Sequence, residues 1–308
     1  MKLKVLLSAL LIMMVAGIII PANASSPRKV IISTDIGSDI DDAWALAFAL
    51  KCPELDIDSV IASHGPTPGR AKIAVKLLHI AGRDDVPVIV GRCRRISSNG
   101  QRNWAKNFMP KKPLVADGDR ALVRRIMDSP GKITLIPIGP LTDVGDMLKI
   151  EPRVKEKIDE IILMGGAAYH GYRSNSPPCA EYNILSDVRA AQTVFESGIP
   201  IVMVGLDVTT TMQPSAEEMQ RIAESDKPLP KAMHELFKLW GHPVPTLFDV
   251  VAVAIAFQRD LIKMEYKCVK VTDDGITRIV PDGKPNAWVC VEDNKAGVMK
   301  LFMERVLD

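Results

Sequence analysis

Short apolar runs bounded by turn residues alternate along this chain with segments of helical periodicity. "KVIIST" reads as a strand and "DDAWALAFALK" as the helix after it. The alternation continues through "IDSVIAS", the helix "RAKIAVKLLHIAG" and "VPVIVG", after which a polar loop runs from about Arg92 to Asp117. The helix "RALVRRIMDS", the strand "KITLIPIG" and the helix "LTDVGDMLK" follow, and then "IDEIILMGG" and "GIPIVMVGL" enclose the helix "DVRAAQTVFESG". Strands that are apolar throughout and alternate with helices predict a mostly parallel sheet buried on both faces. From about Ser215 helices dominate, a β-rich stretch runs from about Lys267 to Val291, and "AGVMKLFMERVL" closes the chain as a helix. The expected architecture is a single α/β domain with a Rossmann-like central sheet flanked by helices, plus a helical and small β-rich C-terminal part.

Composition changes this picture mainly at the N-terminus. Lys2 and Lys4 precede an uncharged run from Val5 to Ile20, and Ala22-Asn23-Ala24 has the small-x-small form of a signal-peptidase site. Residues 1–24 are expected to be a cleaved export signal, with 25–308 as the folded domain in the periplasm or outside the cell. Left uncleaved, the run would anchor the protein in a membrane. Removing it takes two lysines and no acid from a formal charge of +2, so the mature chain is neutral. A neutral chain without a basic run is a poor partner for nucleic acid or anionic membrane. Of the 5 cysteines, Cys268 and Cys290 flank a hairpin-like stretch and are the best disulfide pair; otherwise they are small buried hydrophobes.

In sheets of this kind ligands bind beyond the carboxyl ends of the strands. "TDIGSDIDD", "IPIGPLTD" and "LMGGAAYHG" all fall there. Asp35, Asp39, Asp41 and Asp42 would repel one another in a shared cleft, and a hard divalent ion with oxygen ligands relieves this, Ca²⁺ or Mg²⁺ fitting carboxylates best. Asp249, at the start of the apolar helix in "TLFDVVAVAIAF", and a carbonyl at the end of "LIPIG" are the best distant ligands. Two plainer readings compete: Asp41 and Asp42 as first-turn acids favoured by the helix dipole, and Asp39 as a turn residue. Neither accounts for Asp35. No P-loop, G-x-G-x-x-G or G-x-S-x-G motif is present.

"STDIGSDIDDAWA" resembles the opening signature of the inosine/uridine-preferring nucleoside hydrolases, D-T-D-x-G-x-D-D-A-x-A. "IAGRDDVPVIVG", "ITLIPIGPLTDV", "IILMGGAAYHGYRSNSPPCAEYNILSDVRAA" and "LFDVVAVA" are similar to four further segments of that family, in the same order. The resemblance implies metal-dependent hydrolysis of the N-glycosidic bond of ribonucleosides, with Ca²⁺ as cofactor and a homodimer or homotetramer as the assembly. It makes Asp35 a metal ligand and the base for water. Asp42, Asp249 and the Ile138 carbonyl complete the protein's ligands. Asp41, Asn175, Glu181 and Asn183 would bind the sugar and Met164 would line its pocket. An oxocarbenium-like transition state suits such an acidic pocket.

The chain also departs from the family pattern. Ser33 stands for the first Asp, and "GSDIDDA" is two residues longer, which makes Asp39 an extra carboxylate. Pro66 replaces an Asn that contacts the sugar. Phe248 replaces the His that, in members acting on purines, helps protonate the departing base. His234, His242, Tyr169 and Trp240 are candidates for that missing acid. Hydrolysis of another ribosyl compound, or Ca²⁺-dependent nucleoside or sugar binding by a degenerate site, are the alternatives.

Overall fold

The computed structural model describes residues 26–93, 100–173 and 176–308. The export signal expected over 1–24 and the candidate ligand Asn175 lie outside the described residues. Strand β1 (Arg28–Thr34) leads into helix α1 (Asp41–Ala49), and β2 (Leu55–Ala62) into α2 (Thr67–Ile80). β3 (Val88–Val90) is followed by a 3₁₀ turn over Gly100–Ala105 and by α3 (Gly118–Met127). β4 (Ile133–Pro137) leads to α4 (Thr142–Ile150), and β5 (Ile158–Met164) to α5 (Tyr182–Ser186) and α6 (Val188–Phe195). After β6 (Ile201–Val204) come four helices: α7 (Leu206–Thr209), α8 (Ala216–Glu224), α9 (Pro228–Trp240) and α10 (Phe248–Ile255). β7 (Lys263–Lys267), the small β8 (Val269–Val271) and β9 (Thr277–Ile279), β10 (Ala287–Glu292) and α11 (Lys295–Leu307) complete the chain.

Among the described residues eight strands form one sheet in the order β3-β2-β1-β4-β5-β6-β10-β7, parallel except for the edge strand β7. In the C-terminal part β7 and β10 extend the main sheet, while β8 and β9 form a two-stranded sheet of their own. Successive residues of β1 alternate between two cores. Val30 and Ile32 pack with α1, α2, α9, α10 and α11, and Ile31 packs with α3, α4 and α6. This is why the strand reads as continuously apolar: both its faces are covered.

Every residue of α1 is buried. Trp44 stacks on Phe302 with ring centroids 6.0 Å apart and donates its indole N–H to the Met233 carbonyl at 3.2 Å. The helix therefore lies between the sheet and the C-terminal helices, and the acids in its first turn, Asp41 and Asp42, are buried apart from the side they show to a cavity.

The expected Cys268–Cys290 disulfide is absent; both thiols are free. Cys290 pairs across the ladder with Met264, whereas Lys267 pairs with Ala287. Cys268 is therefore four positions along the strand from the residue facing Cys290, about 13 Å at the usual rise and too far to bridge.

Candidate active site

The sheet reverses its winding between β1 and β4, and the loops leaving those strands open a crevice there. At the end of β1 the chain turns through Gly37, whose φ of 104° a side-chain-bearing residue rarely adopts. The turn carries Asp35, Asp41 and Asp42 inward, where they are buried. Thr34 donates its hydroxyl to Asp42 Oδ1 at 2.5 Å, and the Asp42 N–H donates to Asp41 Oδ1 at 3.0 Å. Asp249 arrives from the first turn of α10, more than 200 residues along the chain, and is also buried. Carboxylate oxygens of Asp41, Asp42 and Asp249 all lie within 4.8 Å of one another.

Burial raises the pKa of each member of this cluster. For Asp41, Asp42 and Asp249 the neighbouring carboxylates add to it, holding all three well above the ordinary range. Asp35 is raised by burial as well, opposed by the guanidinium of Arg70. Arg70 is wholly buried on α2 and clamps the acidic turn from behind. It donates to the main-chain oxygens of Asp35 and Ile36, to the His64 carbonyl at 2.6 Å and to the Ser38 hydroxyl at 2.8 Å. Its Nη2 is 3.6 Å from Asp35 Oδ2. Across the crevice, Gly139 just beyond β4 leaves room for Asp35: a Cβ there would fall 2.7 Å from Asp35 Oδ1.

The far wall comes from β5 and α5. Glu181 caps α5, taking the N–H groups of Asn183 at 2.9 Å and Ile184 at 3.1 Å, and that of Gly166 at 3.0 Å. Burial outweighs these three bonds and pushes its carboxyl up to about 7. Asn183 donates to the carbonyls of Ile138 at 3.2 Å and Met164 at 3.1 Å. The result is a cavity of about 420 Å³, with the acids at its floor and Tyr172, Tyr182, Trp240 and Phe248 among its walls.

The chain matches the family model "Inosine-uridine preferring nucleoside hydrolase" over residues 30–300. It belongs to that family. The pyrimidine-specific ribonucleoside hydrolase RihA of Citrobacter koseri is 30% identical over 297 residues, covering 86% of this chain and 94% of that protein. A probable uridine nucleosidase 2 of Arabidopsis thaliana is 28% identical, covering 91% and 98%. Among solved structures, the plant nucleoside hydrolase PpNRh1 superposes with a TM-score of 0.79 at 27% identity, covering 91% of this chain and 99% of that one. The inosine-uridine preferring nucleoside hydrolase of Bacillus anthracis, 20% identical with a TM-score of 0.76, shares the fold. These relatives are N-glycosyl hydrolases, and the protein is an enzyme of that kind with a small-molecule nucleoside substrate.

Of the residues singled out from the sequence, Asp35, Asp39, Asp41, Asp42, Ile138, Met164, Glu181, Asn183, Trp240 and Asp249 all line this nucleoside hydrolase cavity. The closest-set carboxylates are Asp41, Asp42 and Asp249, whereas the family resemblance puts Asp35 rather than Asp41 among the ligands. His242 is not among the lining residues, and its ring lies 4.6 Å from that of Trp240. Two candidates fall away from the cavity. His234 packs alongside Phe237 on α9, with ring centroids 6.3 Å apart. Tyr169 is turned outward because Asp207 accepts the main-chain N–H groups of Ala168, Tyr169 and His170 and fixes that turn.

Four contributors escaped the sequence reading: Arg70, Ser38, Tyr172 and Tyr182. Tyr182 sits inside the A-E-Y-N segment, where its polar neighbours carry the signal. Arg70 carries no local signal, since a lone arginine on a helix reads as a solvated charge.

Proposed function

We propose that this enzyme hydrolyses the N-glycosidic bond of ribonucleosides, with Asp35 accepting the proton of the attacking water and a Ca²⁺ ion held at the acidic cluster. The observation that carries the reading is the convergence of buried Asp35, Asp41, Asp42 and Asp249 in one cavity with Glu181 and Asn183. The donor set fits such an ion. The family is metal-dependent, all the donors are hard oxygens, and four carboxyls buried together cannot all ionise without a cation. Asp42 and Asp249 would hold it with Asp35 and the Ile138 carbonyl, whose second lone pair is free of the Asn183 bond. When bound, the ion supplies charge neutralisation and makes water a competent nucleophile at neutral pH.

The chain's own residues do the rest. Asp35, steadied by Arg70 behind it and Gly139 beside it, presents a carboxylate to the water. Asp41 and Asn183 meet the ribose hydroxyls, and Glu181 uses the acceptor capacity left beyond its three main-chain bonds. The carboxyl groups of Asp41 and Glu181 also favour the positive charge that develops on the sugar.

Metal-replete protein is assayed with uridine, inosine and 4-nitrophenyl riboside by reducing-sugar release. Asp35→Asn keeps its fold and loses at least about a thousandfold in kcat, since proton acceptor and ligand are changed together. A variant with most of its rate intact would remove Asp35 from the chemistry. Binding of nucleoside without turnover in the wild type would favour a binding protein instead. The proposal includes export: cleavage after Ala24 leaves a mature chain beginning at Ser25, which N-terminal sequencing of the secreted protein tests.

A further inference from the structure

Resting on that hydrolase reading, we propose a substrate class for this site. It is a ribonucleoside whose base is a cation before cleavage and a neutral molecule after it, such as a pyridinium riboside, and Asp39 is the residue that selects it.

Charge is the first ground. Six carboxyl side chains line the cavity (Asp35, Asp39, Asp41, Asp42, Glu181 and Asp249), with no lysine, arginine or histidine among its described lining residues. One divalent ion at the floor leaves that wall acidic.

Asp39 is not one of the three close-set carboxylates Asp41, Asp42 and Asp249. Its carboxylate lines the same cavity as Trp240, whose ring lies 4.6 Å from that of His242. It thus shares one cavity with Asp35 and with the aromatic walls. The backbone there is pinned from three directions. Gln101 donates its amide to the Asp39 carbonyl at 2.8 Å, Ile40 donates its N–H to Asp39 Oδ1 at 2.6 Å, and Arg70 holds Ser38. The carboxylate is therefore presented rather than left to swing.

The walls beside it are aromatic. Tyr172 and Phe248 meet edge to face at 6.5 Å, and Trp240 and Tyr182 line the same cavity. π-Faces next to a carboxylate suit a flat organic cation.

Leaving-group chemistry is the second ground. A neutral base departs as an anion unless it is protonated, and Phe248 has nothing to donate. Burial holds the Tyr172 phenol above its usual range, and its oxygen already accepts the Tyr182 N–H at 2.9 Å. The Tyr182 hydroxyl faces His64 Nε2 at 3.4 Å. A cationic base needs no donor. The C1′–N bond breaks with its electron pair passing to the ring nitrogen, which cancels the ring's charge. Water oxygen bonds to C1′ and its proton passes to Asp35. Ribose, a neutral base and one proton result.

The full metal-replete chain is assayed at pH 7 with nicotinamide riboside, uridine, inosine and 4-nitrophenyl riboside. Wild-type kcat/KM for nicotinamide riboside exceeds that for uridine and inosine by about tenfold or more. Asp39→Asn lowers it about tenfold, a modest yield for one charge pair at partial burial, and changes the 4-nitrophenyl rate less than about twofold. The nitrophenyl compound also needs no proton, so this split isolates charge recognition from leaving-group ability. Asp39→Glu, which keeps the charge, retains the nicotinamide riboside preference. Preference for uridine or inosine, or equal losses on both probes in Asp39→Asn, overturns the proposal while leaving the hydrolase reading intact. Failure to cleave any riboside overturns both. Should Asp39→Asn not fold, the wild-type ranking and Asp39→Glu decide alone.

Discussion

Gly139→Ala separates positioning of the catalytic carboxylate from its chemistry. The residue lies immediately beyond β4, facing the end of β1. A methyl group there would sit 2.7 Å from Asp35 Oδ1, 2.9 Å from the Asp35 main-chain nitrogen and 3.1 Å from Ser63 Oγ. Ordinary contact begins near 3.4 Å. The Asp35 backbone cannot yield easily, because Arg70 holds its carbonyl and β1 is paired on both sides. The side chain must then move by roughly the missing fraction of an ångström to about one ångström. A misplacement of about 1 Å at a reacting group costs up to about a hundredfold in rate. Inserting one methyl into a packed site costs about 1–3 kcal/mol of stability. In a domain of this size that lowers Tm by only some 2–10 °C.

The expected result is therefore a folded enzyme with kcat reduced roughly ten- to a hundredfold. Thermal melts followed by circular dichroism, and initial rates with 4-nitrophenyl riboside, measure the two quantities. Gly131→Ala is the control, since nothing lies within 4 Å of its added methyl. A Gly139→Ala enzyme with more than half the wild-type kcat would show that Asp35 does not need its present position. The account of Asp35 as the water's base would fall with it.

Chelation should act on stability as well as on rate: EDTA lowers Tm and added Ca²⁺ restores it, because Asp41, Asp42 and Asp249 then lose the cation that offsets their repulsion. An unchanged Tm in EDTA would speak against an ion at the cluster. Asp143 offers a pH test away from that cluster, because burial, reinforced by Asp119 and Asp146, pushes its carboxyl up to about 8. Its folded pKa is above the unfolded value, so it costs progressively more stability as pH rises from about 4 to about 8, and the cost levels off above that. Asp143→Asn, which can still accept the Arg92 N–H, should therefore gain in Tm over the wild type as pH rises from 5 to 8; a pH-independent difference would refute this. Arg70→Lys keeps a charge but cannot reach the four oxygens the guanidinium holds, so kcat should fall at least about tenfold with KM little changed. Equal activity in that variant would make the clamp dispensable.

How much of this was legible in the chain depends on the range over which each feature is encoded. The parallel sheet was legible because each strand carries its own signal: a run such as "KVIIST" is apolar on both faces wherever it is placed. The acids at the end of β1 were legible for a similar reason, since the ordinary uses of acids in a turn and at a helix start leave Asp35 unexplained. Asp249 was a weaker inference, because an aspartate opening an apolar helix also serves as a first-turn acid; only its meeting with Asp41 and Asp42 distinguishes the two. The outer wall of the cavity was not legible. Tyr172 lies in a loop with no periodicity, and Trp240 reaches the cavity only because α9 ends beside it. His234, a more polar and so more suggestive residue on the same helix, faces Phe237 instead. Arg70 shows the same limit from the opposite side. Nothing in "TPGRAKIAV" says that one of its charges will be wholly buried, because the oxygens that receive it come from the ends of β1 and β2, brought together by the sheet. A short motif can therefore reveal what a site does to a sugar, since that chemistry sits on one turn. Which base it accepts depends on walls drawn from α9, α10 and two loops, and their meeting is a property of the fold.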